Sequence, residues 1–204
     1  VIIDMYDKGL VRSVMCSQSF DEIASKAIST RPGVVEIDNA DYSNAFTKGG
    51  FLNKEDFGIL GALEIDTEFN VNILTGITGN MMGGLGGGPD VAASAAISIV
   101  TVPIIRGRIP AIVKRVQTVC EPGETIAAVV TELGISINPK HRHYHELKED
   151  LESAGLPLIS IEELQLKAES LTGTPEPIQE KDRIVCIVEY RDGTVLDVIR
   201  EREL

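Results

Sequence analysis

Apolar residues along this chain recur at helical spacing in three stretches and gather between them into short, β-branched runs. In "SFDEIASKAIS" (19–29), Phe20, Ile23, Ala24 and Ala27 form one helical stripe, and Ser19 with Glu22 three positions on predicts a capping box. "YHELKEDLESAGLP" (144–157) repeats the spacing at Leu147, Leu151 and Ala154 and stops at Gly155 and Pro157. "SIEELQLKAESLTG" (160–173) carries a second capping box, Ser160 with Glu163, and ends at Gly173. Between the helices, "GVVEI" (33–37) reads as a buried strand. "ISIVTVPI" (97–104) reads as a central strand covered on both faces, and "AAVVTELGISI" (127–137) as one or two more. The tail "RIVCIVEYRDGTVLDVIRE" places two β-rich runs around Asp192–Gly193, a strong hairpin signal. The whole predicts an α/β chain with a mixed sheet, and "TGTPEPIQEKD" (172–182) is its one linker-like stretch.

One run alternates strictly. In "ALEIDTEFNVNIL" Glu64, Asp66, Glu68, Asn70 and Asn72 interleave with Ile65, Thr67, Phe69, Val71 and Ile73. A continuous strand would put all five polar groups on one face, either a wet side or the wall of a polar cleft. The run leads into "NMMGGLGGGPDVAASAA", where Gly83, Gly84, Gly86, Gly87 and Gly88 crowd a six-residue window. Glycine gives up more chain entropy on folding than any other residue, so such a loop implies tight turns or the close approach of another molecule. Successive N–H groups of glycine-rich turns form anion-binding concavities, with Asp90 the expected N-cap of a helix starting at Val91. No Gly-Lys-Ser/Thr is present and "GGLGGG" is not a dinucleotide fingerprint, which argues against nucleotide hydrolysis.

"PIIRGRIPAIVKR" (103–115) brings Arg106, Arg108, Lys114 and Arg115 together after the central strand. Arg106 and Arg108, flanking Gly107, are candidates for bidentate carboxylate contacts, with a solvated strand exit as the plainer reading. His141, His143 and His145 resemble a metal cluster at first sight, but only His141 and His145 would share a helix face, so no metal is expected.

Composition narrows the choice. The chain of 204 residues is 43% hydrophobic and 25% charged, as in folded proteins, and its net charge of −12 disfavours nucleic-acid binding. Three cysteines, Cys16, Cys120 and Cys186, have no paired spacing and read as buried thiols, since free cysteine behaves as a small hydrophobe. The uncharged stretch Val91–Ile105 is too short to span a bilayer and is broken by Pro103, and no leader opens the chain; a soluble, cytoplasmic protein is expected. It opens at Val1 without an initiator methionine, as expected of a piece of something longer.

The order "ALEID…FNVN…GG…GGGPD…PIIRGRIP…PGETI…GISINP…GLPLISIEEL…VEYRDGTVLDVIR" resembles the C-terminal half of the citrate lyase alpha subunit over essentially the whole chain. More distantly, "GALEID" before a glycine loop is similar to the second subunit of the acid CoA-transferases. The resemblance implies a three-layer, CoA-transferase-like α/β domain with a mixed, mainly parallel sheet and a C-terminal β-hairpin. Residues 1–204 would then be one such domain, the second half of a two-domain subunit. It further implies that citrate replaces acetate on the thioester of an acyl carrier protein or CoA. No cofactor is permanently bound; CoA, or the CoA-like phosphopantetheine arm of the carrier, is a co-substrate. The partners implied are the beta subunit and the acyl carrier (gamma) subunit, in a homo-oligomeric assembly without membrane or nucleic acid.

On that reading Glu64, Gly86 and Gly87 are the catalytic candidates, and Gly83, Gly84, Gly88, Asp90, Asn72, Arg106 and Arg108 bind substrate. The Glu-Asn-Gly motif of relatives that work through a glutamyl thioester is absent, which favours direct exchange. The loop reads Gly-Gly-Gly-Pro-Asp where the family has Gly-Gly-His-Ser/Gln-Asp, and the histidine cluster replaces a more arginine-rich segment. Phe69 stands where distant relatives have a hairpin glycine, leaving open a single strand or a tight hairpin over 64–73. The alternatives are a free acid CoA-transferase acting on small acids and a non-catalytic structural half.

Overall fold

The computed structural model describes residues 1–19, 21–44, 46 and 49–202 and divides the chain into two compact units, Val1–Asn53 and Lys54–Leu204. The first unit holds helix α1 (Ile2–Asp7), strand β1 (Val14–Cys16), helix α2 (Glu22–Thr30), strand β2 (Val34–Glu36) and helix α3 (Asn39–Ser43). β1 and β2 pair in parallel, and Ile3, Val14, Ala27 and Val34 form a small core of their own. The helical stripe predicted for α2 is only partly right. Its N-cap is Asp21, whose carboxylate accepts from Ala24 N–H at 2.7 Å, so Ser19 lies two residues too early to cap. Ala24, Ala27 and Ile28 pack inward at i, i+3, i+4, which leaves Ile23 67% exposed; Phe20 lies outside the described residues. In β2 only Val34 is buried, so that strand is covered on one side, not two.

The second unit carries strands β3 (Phe57–Gly61), β4 (Glu64–Asp66) and β5 (Val71–Asn72), helix α4 (Gly88–Ser94), and strands β6 (Ile97–Thr101), β7 (Ile105–Arg106), β8 (Ile109–Pro110) and β9 (Ile112–Val113). Strands β10 (Ala128–Thr131) and β11 (Gly134–Ile137), helices α5 (Tyr144–Ser153) and α6 (Ile161–Thr172), and strands β12 (Glu180–Glu189) and β13 (Val195–Arg202) follow. The main sheet has the order β11-β10-β6-β3, with β10, β6 and β3 parallel and β11 antiparallel. A three-stranded sheet β5-β4-β9 and the hairpin β12–β13 complete the expected mixed α/β architecture, mainly parallel in its main sheet and closed by a C-terminal hairpin.

β6 is central, as its composition predicts, but its two faces differ. Ser98 and Val100 are buried, whereas Ile97 and Ile99 pair in register with Phe57 and Ile59 of β3, which are 63% and 73% exposed. The continuous apolar run therefore marks the middle of the sheet without marking two-sided cover. Ser160 and Glu163 form the predicted capping box, and α6 buries Ile161, Leu164 and Ala168 in the main core with Ile65, Val100, Ile112 and Val129. The tail hairpin turns through Tyr190–Thr194, longer than a two-residue turn, with Gly193 at φ 88°.

The alternating run 64–73 is a tight hairpin. β4 and β5 pair antiparallel with Glu64 opposite Asn72, and Phe69 takes φ 66° in the turn, a conformation that bulky residues adopt only when their surroundings insist. Those surroundings are its own burial, at 2% exposure, and the Asp66 carboxylate, which accepts the N–H groups of Glu68 and Asn70 at 2.9 Å each. The five polar residues therefore do not share one face: Asp66 and Asn70 serve the turn, and only Glu64 and Asn72 face each other across the strands.

Gly123 closes on this turn. Its N–H donates to Asn70 Oδ1 at 2.9 Å, and a Cβ at Gly123 would lie 1.9 Å from the Glu68 carbonyl oxygen. Backbone must move to admit even a methyl group, so Gly123→Ala is expected to destabilise the chain by on the order of 2 to 3 kcal/mol, read from its denaturant midpoint. An unchanged midpoint would show that the turn yields freely.

Candidate active site

Glu64 enters the site from β4, and its burial to 8% exposure is made tolerable by two donors. Asn72 Nδ2 donates to Glu64 Oε1 at 2.9 Å and Gln117 N–H donates to the same oxygen at 2.5 Å. Desolvation raises the Glu64 carboxyl above the ordinary range; these two bonds oppose the rise and the nearby Asp66 charge adds to it. Asn72 is fully buried and also donates to the Thr75 carbonyl at 2.8 Å, while its Oδ1 accepts Leu74 N–H at 2.9 Å and Thr75 N–H at 3.0 Å. It holds Glu64 and the start of the following loop, and has no capacity left over. Thr75 and Thr118 hydroxyls join 2.8 Å apart behind it.

Glu64 lines a cavity of about 770 Å³ together with Gln117, Lys114 and Arg115. Thr174 to Pro177, from the stretch read as a linker, form another part of its wall. The cavity also holds Asp66, Glu68, Glu169 and Glu176, so its lining carries more carboxyl groups than cations. Arg106 and Arg108 do not line it. They are exposed on the β7–β8 turn, where Gly107 takes φ 62°, and the Arg106 guanidinium donates to the Ala62 carbonyl at the end of β3. Lys114 and Arg115 belong to the same basic segment and are the cations that folding brings to Glu64.

The glycine loop follows from Leu74 through a bridge between Thr75 and Met81. Its one larger residue, Leu85, anchors it by packing with Leu74, Cys120, Val188 and Ile199. Two of its glycines are required by the fold itself: Gly86 has φ 57°, and a Cβ on Gly88 would lie 2.5 Å from Glu121 Oε1. At Gly83, Gly84 and Gly87 neither reason holds, since φ is not in the left-handed region and a Cβ would meet nothing within 4 Å. Among the described residues, the N–H groups of residues 83 to 87 donate to no protein acceptor. The helix begins earlier than expected, at Gly88 with Gly87 as N-cap, because Pro89, with fixed φ and no N–H, suits the first turn. Asp90 is thus inside the helix and does not cap it. It pairs with Arg191 Nε at 3.2 Å, and burial raises its carboxyl against the pull of that guanidinium.

Of the three cysteines expected to be buried only Cys120 is, Cys16 and Cys186 being half-buried. Cys120 lies between the polar network and the loop, beside Glu121, which sequence patterning leaves unremarked. Burial pushes the Cys120 thiol up to about 11, so it stays protonated at neutral pH. Glu121 is completely buried, and burial alone raises its carboxyl to about 7. Among the described residues no three His, Cys, Asp or Glu side chains are grouped to hold a metal ion, and no helix is long and apolar enough to cross a membrane.

Glu121 gives the fold a pH signature. An unfolded glutamate near 4.5 and a folded one near 7 mean that the native state holds the extra proton between those values, so stability falls as pH rises through that window. The loss is on the order of 3 kcal/mol when complete. Glu121→Gln, which cannot ionise, should flatten the decline in unfolding free energy between pH 5 and pH 8; an equally steep decline would mean that other carboxyls carry it.

The family model described as "Citrate lyase, alpha subunit" matches residues 1–202. The chain is 44% identical over 200 residues to the citrate lyase alpha chain of Klebsiella pneumoniae and 43% identical over 200 residues to that of Escherichia coli, covering 98% of this chain and 39% of each relative. A crystal structure described as the alpha subunit of citrate lyase in complex with citrate, from Streptococcus mutans, superposes with a TM-score of 0.93 at 40% identity, over 99% of this chain and 39% of that one. The chain thus spans about two-fifths of the length of these relatives, and it belongs to the citrate lyase alpha subunit family.

Proposed function

We propose that these residues form one side of an acyl-transfer site in which citrate replaces acetate on a thioester. A citrate carboxylate oxygen attacks the acetyl thioester carbonyl, releasing the thiolate and leaving a citric–acetic anhydride. The thiolate then attacks the citryl carbonyl of that anhydride, giving citryl thioester and acetate. Each attack passes through a tetrahedral oxyanion, which needs donors already in place. The observation that carries the reading is the run of N–H groups from Gly83 to Gly87 that no protein acceptor uses, on a loop with open space where side chains would be.

Glu64 is the polar contact to the reacting acyl group, held in place by Asn72 and the Gln117 N–H. Asn72 serves by orienting Glu64. Lys114 and Arg115 are the better-placed cations for citrate carboxylates because they share the cavity with Glu64; Arg106 and Arg108 are the outlying pair. The excess of carboxyl groups in that lining repels a tricarboxylate, so further cations come from the remainder of the subunit. The thioester is carried by acetyl-CoA or by the CoA-like arm of an acyl carrier subunit, and a beta subunit cleaves the citryl product. The kinship with a relative described in complex with citrate supports the choice of acid.

Gly87→Ala separates a catalytic loop from a merely flexible one, because its φ of −91° accepts alanine and nothing is crowded. In a subunit of its relatives' length that contains these residues, citryl-thioester formation from citrate and acetyl-CoA should fall about a hundredfold, through obstruction and misplacement at the reacting carbonyl. The denaturant midpoint should barely move. Gly86→Ala, at positive φ, should instead lose about 1 kcal/mol of stability or more. A Gly87→Ala subunit with unaltered turnover overturns the assignment of the loop.

A further inference from the structure

Among the described residues, buried side-chain oxygens without a hydrogen-bond partner occur at Glu121, on both Oε1 and Oε2. Such a group is costly and calls for a reason. Its backbone cannot withdraw: Val71 N–H donates to Glu121 O at 3.0 Å and Glu121 N–H donates back to Val71 O at 3.2 Å, an antiparallel bridge beside the Asn72 network. The carboxyl meets the last residue of the glycine loop, so close that a Cβ on Gly88 would be 2.5 Å from Oε1 and 3.2 Å from Ile73 Cδ1. On the two residues before Gly88, Gly86 and Gly87, lie N–H groups with no protein acceptor. An acceptor without donors therefore lies against Gly88, and donors without an acceptor lie on the two residues that precede it.

We propose that Glu121 is a positioning residue for the glycine loop: as a neutral acid it leaves the Gly86 and Gly87 N–H groups to an anionic ligand, and as a carboxylate it draws them inward. The inference rests on the transferase reading, in which those donors meet a developing oxyanion; a negative charge under the loop competes with that oxyanion for the same N–H groups. The surrounding ionisable groups do not take over this role. Cys120 is protonated, Asp90 of α4 is paired with Arg191, Asp197 of β13 accepts Val119 N–H at 2.8 Å, and Glu124 is exposed on the turn that follows. Burial pushes the Glu121 carboxyl up to about 7.

NMR titration of the chain between about pH 5 and 9 tests this. The Glu121 side-chain carboxyl carbon should titrate near pH 7, and the Gly86 and Gly87 amide resonances should follow the same midpoint, without that step in Glu121→Gln. Glycine amides that ignore the Glu121 midpoint in the unaltered chain overturn the inference, whether or not the variant folds. In the longer subunit, exchange should be about tenfold slower at pH 8 than at pH 6, and Glu121→Gln should abolish that fall. A fall that persists in Glu121→Gln overturns it too. A subunit without exchange at any pH refutes the transferase reading, while the amide titration still decides the role of Glu121.

Discussion

The second unit depends on one buried amide. Asn72 donates to Glu64 and to the Thr75 carbonyl, and accepts from the backbone at Leu74 and Thr75, all without solvent contact. Inside a protein a fully satisfied polar cluster is rigid, and a half-satisfied one is worse than none. Asparagine suits the position because a single planar group presents two donors and two acceptor lone pairs in opposite directions. Its amide lets the chain bury a carboxyl on β4, turn sharply after β5 and launch the loop that leads to the glycines. The Val71–Glu121 bridge, one residue away, ties the same strand to the floor of that loop.

Around this fixed point the loop combines anchoring and openness. Leu85 holds it to the hairpin β12–β13 and to Cys120, Gly86 supplies the positive φ, and Gly88 lets the backbone pass over Glu121. The other glycines leave space that the fold does not use. A loop built this way is stiff at its base and bare at its surface, which is what the proposed transfer on a thioester would ask of its donors.

Electrostatics follows the same division. Net acidity is not spread evenly: Glu64, Asp66 and Glu121 are buried with raised carboxyls, and the cations Lys114 and Arg115 that line the cavity are exposed. Desolvation raises all three carboxyls and pushes Glu121, beside the loop, up to about 7.

Much of this was legible in the amino acids alone. The Ser160–Glu163 box, the Gly155 stop, the Asp192–Gly193 turn and the β-branched run of β6 are local signals, read from residues a few positions apart that touch in the element they specify. The family motif was legible too, with its glycine loop and with Glu64 and Asn72 as separate candidates, whereas their pairing across the hairpin came only with the fold. Sequence patterning misplaced or missed what depends on distant partners. Asp21 displaces Ser19 as cap, and Pro89 moves the start of α4 so that Asp90 pairs with Arg191, 101 residues away. Glu64 is held by Gln117, 53 residues on, and Lys114, Arg115 and Thr174 to Pro177 reach its cavity from separate segments. Glu121 gives no signal in the linear chain, where it is one acidic residue before a Pro-Gly pair. Its meaning comes from burial and from the missing partner, and desolvation is a property of the packed surroundings, which only the tertiary structure decides.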